Sequence, residues 1–385
     1  MRTALLLVPL TALAFGAAGC GGADEPGAGA ERPGTGEAEG RGSGDIGPLA
    51  VGWSTDFSKH TVPLTEFVSG GPGKDGIPPI DEPKLVSIGE ADEWLEDREP
   101  VIELEVGDDA RAYPLQILIW HEIVNDEVGG VPVAVTFCPL CNTALVFDRR
   151  LDGRVLNFGT TGNLRHSDLV MYDRWTESWW QQFGGEAVVG ELAGKTLEQM
   201  PARIVAWEDF VAGHPDGQVL SRETGHSRPY GRNPYEGYDD VDSPPFLTPP
   251  GGGDDRLAPK VRVVFLEKGG EAVAVPFSAV AKMGEIVVRL GGEELEVTWQ
   301  AGTRSALDEA EIAEGRDVGS VDVRRVSDGE RVAFDTPFWF AVAAFRPDVK
   351  LVPDGKAAAV PASPEASEAS AQRYTRPTGR FAVGA

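Results

Sequence analysis

Apolar residues in this chain alternate with polar ones, or gather in short blocks between glycine and aspartate turns, and that pattern predicts a β-rich protein with few helices. Val101 to Val106 alternates, Gly107-Asp108-Asp109 turns, and Ala110 to Tyr113 returns, which predicts a hairpin. Pro114 to Trp120 suits one or two helical turns, placing His121 at their end. After the Gly129-Gly130 turn come two apolar runs, Val131 to Phe137 and Thr143 to Phe147. They read as strands joined at Cys138-Pro139-Leu140-Cys141. Ile88 to Leu95 suits a short helix, and both Trp207 to Pro215 and Phe338 to Pro347 read as helices ended by proline. Ser69 to Pro79, rich in glycine and proline, predicts a loop, either a plain connection or a lid. Trp175, Trp179 and Trp180 predict core packing, with a recognition surface as the alternative.

One stretch of this pattern returns. Ala110-Arg111-Ala112-Tyr113-Pro114-Leu115 is matched by Ala272-Val273-Ala274-Val275-Pro276-Phe277, Glu122-Ile123-Val124 by Glu285-Ile286-Val287, and Gly129-Gly130 by Gly291-Gly292. The expected fold class is therefore α+β, β-rich, built from two divergent copies of one β-hairpin and strand-plus-helix unit, at about 98–222 and about 258–352. The second copy carries Gln300 to Thr303 in place of Cys138 to Cys141 and Gly284 in place of His121. Read so, the cysteines and the histidine serve chemistry more than folding, and a serine pair in place of the cysteines leaves the domain folded.

Composition narrows the setting. With 61 acidic and 35 basic residues the chain carries a formal net charge of −26, which opposes binding to nucleic acid. Residues 1–19 read as a signal peptide: Arg2, an apolar run from Ala4 to Phe15, then small residues before Cys20. That ending resembles a lipobox, although Ala17 stands where leucine is usual. The expectation is lipidation at Cys20 and a membrane partner held through that anchor, at the extracytoplasmic face, with a secreted form as the alternative. Residues 20–48 then make a flexible linker, 49–352 the duplicated domain, and 353–385 a disordered tail.

Export gives Cys138 and Cys141 three uses, because outside the cytoplasm such a pair exchanges disulfides, binds metal, or bonds as a staple. In the first use one thiolate attacks, the other resolves, and His121 is the base or charge partner; the redox partner is a protein or a small molecule. A thioredoxin fold is not supported, since Asn142 to Phe147 reads as a strand and not as a long helix. In the second, Cys138, Cys141, His121 and His166 hold a zinc or copper ion. The third is a binding module with a structural disulfide. Separately, the loop from Thr224 to Asp240 offers Arg228, Tyr230, Arg232 and Tyr235 as binding residues, the arginines suiting an anion.

Trp120-His121-Glu122-Ile123-Val124-Asn125-Asp126, Thr136-Phe137-Cys138-Pro139-Leu140-Cys141-Asn142, Phe158-Gly159-Thr160-Thr161-Gly162-Asn163 and Tyr230-Gly231-Arg232-Asn233-Pro234-Tyr235 together resemble domain of unknown function 3179, over roughly Trp53 to Leu351. Some members of that family carry selenocysteine in the cysteine motif, which implies redox work there. Here both positions are cysteine, so the resemblance implies a thiol form.

Overall fold

The computed structural model describes residues 46–247 and 253–352, which belong to one compact unit, Ser43–Ala385. The expected signal peptide, the expected lipidation site Cys20, nearly all of the expected linker and the expected tail from 353 lie outside the described residues. Ile46 is already buried, in a cluster with Phe67, Trp179 and Val189, so ordered packing begins slightly before residue 49.

Five sheets of three to five strands, with one two-stranded ribbon, make up the architecture, and they are arranged as a five-bladed propeller. Two of them build the site. One runs Glu198–Met200, Thr143–Asp148, Val131–Cys138, Ile123–Val128; the other runs Phe67–Ser69, Phe158–Arg165, Asp168–Asp173, Trp179–Gln181, Glu186–Val189. Thr143–Asp148 is buried at every position and Val131–Cys138 at all but its first, because both faces are covered; this is why they read as continuous apolar runs. Glu293–Gln300, the middle strand of its three-stranded sheet but with one half-exposed face, keeps the alternation instead.

The α+β, two-copy expectation is corrected. Helix makes up only 14% of the described residues, so helices cap strand ends and form no layer. The matched segments do each contain a hairpin, a seven-residue helix and a second hairpin: Pro100–Val106 to Val131–Cys138, and Val263–Lys268 to Glu293–Gln300. Their hairpins, however, are dealt out to four different sheets. Those sheets are completed by strands from elsewhere, such as Gln218–Leu220, which lies parallel to Asp109–Pro114. Periodicity records local hairpins, whereas long-range pairing sets the architecture. The inference that a second copy manages without the cysteines falls with it.

The helix after Pro114 is Leu115–His121, and the two proline-ended helices are Trp207–Gly213 and Trp339–Phe345. The one at Ile88 is a single turn, Ile88–Ala91, held by a reciprocal Ser87–Glu90 capping box. Trp179 and Trp180 are fully buried, while Trp175 is half exposed and stacks under Arg154. The Ser69–Pro79 loop is pinned along Phe158–Arg165 through Gly70 N–H to Gly162 O (2.8 Å) and Asp75 N–H to Thr160 O (2.9 Å). Gly162 permits that approach, since a Cβ there would sit 2.0 Å from Pro72 O and its φ is +74°.

Candidate functional site

The turn Pro139 to Asn142 joins two core strands, with Cys138 paired to Thr143 across the hairpin. Its last residue, Asn142, has φ 58°, and its amide is fixed at both ends: it donates to Thr336 O (2.7 Å) and accepts from Arg262 (2.6 Å). Phe338 N–H reaches Cys141 O at 2.8 Å, and the Tyr238 hydroxyl donates to Leu140 O at 2.9 Å. Chain from three later segments therefore clamps this knuckle.

Facing it is a second tight hairpin. His166 and Ser167 form a two-residue turn with φ of 54° and 63°, the hand that suits the twist of paired strands. The turn delivers Asp168, fully buried, to the sulfurs. The Cys141 thiol donates to Asp168 Oδ1 at 2.9 Å, and Phe183 N–H donates to Asp168 Oδ2 at 2.9 Å beside a short bond from Gln181. Cys141 Sγ also lies 3.0 Å from Thr143 Oγ1, which donates to Gln182 Oε1 at 2.6 Å. Cys138 Sγ is 3.8 Å from Ser167 O. The two cysteines are free thiols with exposures of 1% and 0%, so a bonded staple is not what the structure holds, and neither sulfur meets solvent.

Among the described residues one group has the ligand spacing of a metal site: Cys138, Cys141 and Asp168, whose sulfur and oxygen atoms lie within 4.8 Å of one another. Neither histidine belongs to it. His121 is buried with both ring nitrogens engaged, Nδ1 to Pro78 O and Nε2 to the Tyr230 hydroxyl, each at 2.7 Å. His166 points out of its turn, towards Glu66 Oε2 at 3.3 Å and the Phe345 ring. His121 as base or charge partner, and both histidines as ligands, thus lack the contact those roles need.

Sequence reasoning missed Asp168 and Glu122, although Glu122 stands inside the Trp120 to Asp126 motif and Asp168 only a few residues past Asn163. Glu122 caps the Leu115–His121 helix at φ 58° and is buried. Its carboxyl makes no hydrogen bond among the described residues, and its charge is felt at Cys138. Gln181 and Gln182, polar residues in a buried Trp-Trp-Gln-Gln run, were a legible signal, because dry amides need partners.

Burial dominates the electrostatics. It raises Glu122 to about 8, with Asp168 adding to the rise, and it raises Asp168 itself to about 6 against the lowering hydrogen bonds from Cys141 and Phe183. Asp335 is raised by burial to about 7; its Oδ1 accepts from Ala144 N–H and Thr336 N–H, while Oδ2 has no partner among the described residues. Burial also pushes both thiols up, Cys141 furthest. No lysine or arginine forms an ion pair with these three acids among the described residues. Thiolate formation is thus opposed unless a cation enters.

Of the proposed binding residues, Tyr235 lies nearest this centre: burial, Glu122 and Cys138 all raise its phenol. Arg232 is exposed and ion-paired with Glu311, while Arg228 and Tyr230 lie beside His121.

The donor set fits a thiophilic ion. On a tetrahedral zinc, metal–sulfur bonds of about 2.3 Å place two sulfurs roughly 3.8 Å apart and sulfur and oxygen roughly 3.5 Å apart. The 4.8 Å group needs only to tighten, and the Cys141–Asp168 contact only to open slightly. A sequence profile described as Protein of unknown function (DUF3179) matches residues 74–349. No curated protein and no solved structure matches the chain. The match takes in the cysteine turn, Glu122 and Asp168 alike, and the chain belongs to the DUF3179 family.

Proposed function

We propose that this is a metal-binding protein, with Cys138, Cys141 and Asp168 as ligands and zinc as the preferred ion, copper(I) being the other that two sulfurs suit. The observation that carries the reading is the buried convergence of two thiols and a carboxyl within 4.8 Å, with no basic side chain paired to them among the described residues. A dication compensates charge that the core otherwise suppresses. Three protein ligands leave a fourth position, and Glu122 is a further buried carboxyl whose charge is felt at Cys138.

The setting we infer is extracytoplasmic, with the domain tethered through a lipidated Cys20; the support is the Arg2-to-Cys20 pattern alone.

A second reading is favoured by the Cys141–Asp168 contact. There Asp168 accepts the Cys141 proton as that sulfur bonds to Cys138, and two electrons and two protons leave to an oxidant. Burial of both sulfurs restricts that oxidant to a small molecule.

The test is metal analysis of the full chain purified without chelators, with alkylation mapping of Cys138 and Cys141 by mass spectrometry. About one zinc or copper per chain, and two thiols alkylated only after the metal is stripped, is the expected result. A metal-free protein with the two cysteines disulfide-bonded transfers the site to the redox reading. Metal-free protein with two permanent thiols removes both.

A further inference from the structure

The Thr224–Arg232 loop carries a cationic cluster that the metal centre does not use. Arg228 is half-buried, yet its guanidinium has neither an ion pair nor a hydrogen bond among the described residues, and its Nε is buried without a partner. Such a group is rare, because a guanidinium taken from water costs free energy unless something receives its donors. The site's other members are imidazoles and hydroxyls. The His226 ring lies 5.4 Å from that of His121, and the Tyr230 ring 5.8 Å from it.

The hydrogen bonds fix which donors are free. Pro78 O can only accept, so His121 Nδ1 carries the proton and its Nε2 accepts from the Tyr230 hydroxyl. That hydroxyl is then bound to accept from Thr224 Oγ1, a short contact. Arg228 and the exposed His226 ring remain uncommitted. Burial, with smaller contributions from His226 and Arg228, holds the His121 pKa near 4. In a chain of net charge −26 this cluster lacks an acidic partner among the described residues, whereas neighbouring Arg232 has Glu311 and Arg222 has the amide of Gln116.

We propose that Arg228 and His226, over the hydrogen-bonded His121–Tyr230–Thr224 chain, form a binding site for a small oxyanion, the phosphate or carboxylate group of a small molecule. Arg228 receives it with the paired donors of its fork, and His226 adds a third donor. The site stands on these residues and holds whether or not a metal binds at Cys138 and Cys141.

Titration calorimetry of the full chain with inorganic phosphate, and in parallel with acetate, tests it. Saturable one-site binding of either probe in the low millimolar range is expected. Arg228→Gln should weaken it at least about tenfold and Arg228→Lys by less, while Arg232→Gln should leave it unchanged. Phosphate binding alone assigns a phosphate-bearing ligand, and acetate binding alone a carboxylate-bearing one. No saturable binding of either probe to the unaltered protein, or equal affinity in the Arg228→Gln protein, or an equal loss in the Arg232→Gln protein, overturns the proposal. Should Arg228→Gln fold poorly, Arg228→Lys and the exposed His226→Gln must still weaken binding, by about threefold or more, for the site to stand.

Discussion

Replacing Cys138 and Cys141 together by serine is expected to remove the bound metal and, with it, the part of the stability that depends on metal. A ligand that binds only the folded chain stabilises it by about 2.7 kcal/mol when its free concentration is 100 times its dissociation constant. The unaltered protein should therefore melt several degrees lower after treatment with a chelator, and the serine pair should melt alike with and without one. Metal content should fall from about one ion per chain to almost none. The sites are well suited to the comparison, because serine fills most of the space of cysteine and Cys141 already neighbours the hydroxyl of Thr143. Asp168→Asn should act in the same direction but more weakly, since the amide keeps an oxygen and loses the charge. A serine pair that retains its ion, or an unaltered protein whose melting ignores the chelator, would place the metal elsewhere or nowhere.

Metal-free protein should lose stability as pH rises from 6.5 to 8.5, the reverse of what buried, salt-bridged acids produce. Glu122 titrates near 8 when folded against 4.5 as its ordinary value, and Asp335 near 7 against 3.8, burial being the first cause of both. A folded-state pKa above the unfolded one means that the native chain holds more protons, so stability is complete below the unfolded value and is lost as pH climbs through the folded one. Each tenfold change in an acid's dissociation constant between the two states is worth about 1.4 kcal/mol, and over this pH window Glu122 and Asp335 together make a loss of about 2–3 kcal/mol. His121, held near 4, acts oppositely, but at pH 6.5 it is neutral in the folded chain and already half titrated at its ordinary value of 6.5, so from there upward it offsets only about 0.4 kcal/mol of the loss. Zinc should reverse the trend, because its ligands bind deprotonated and its affinity grows with pH. Urea midpoints of chelator-treated protein at the two pH values, with and without zinc, give the answer. A midpoint that is flat or rising without metal would mean that these carboxyls are paired in solution.

The local parts of this site were legible in the sequence. Two apolar runs meeting at Cys138-Pro139-Leu140-Cys141 announce a turn at a strand end, and Pro114 announces the short helix that delivers Glu122. What could not be read is which residues meet across the fold. Asp168 reaches Cys141 because the hairpin Phe158–Arg165/Asp168–Asp173 is set against the cysteine turn, and no local period records that placement. His166 drew attention for its imidazole, but in a two-residue turn it projects to Glu66 while the strand residue after the turn goes inward. The repeat misled for a related reason. Hairpin–helix–hairpin segments look alike wherever they occur, and the sheet that each strand joins is decided by partners far along the chain.

X-ray absorption at the metal edge of the full chain decides whether Cys138, Cys141 and Asp168 hold the ion, since it counts the ion's neighbours. Two sulfur neighbours at about 2.3 Å, lighter oxygen neighbours closer in, and no imidazole signature are expected, because His121 and His166 are committed elsewhere. An ion with imidazole neighbours, an ion without sulfur, or a protein that never retains an ion would contradict that assignment.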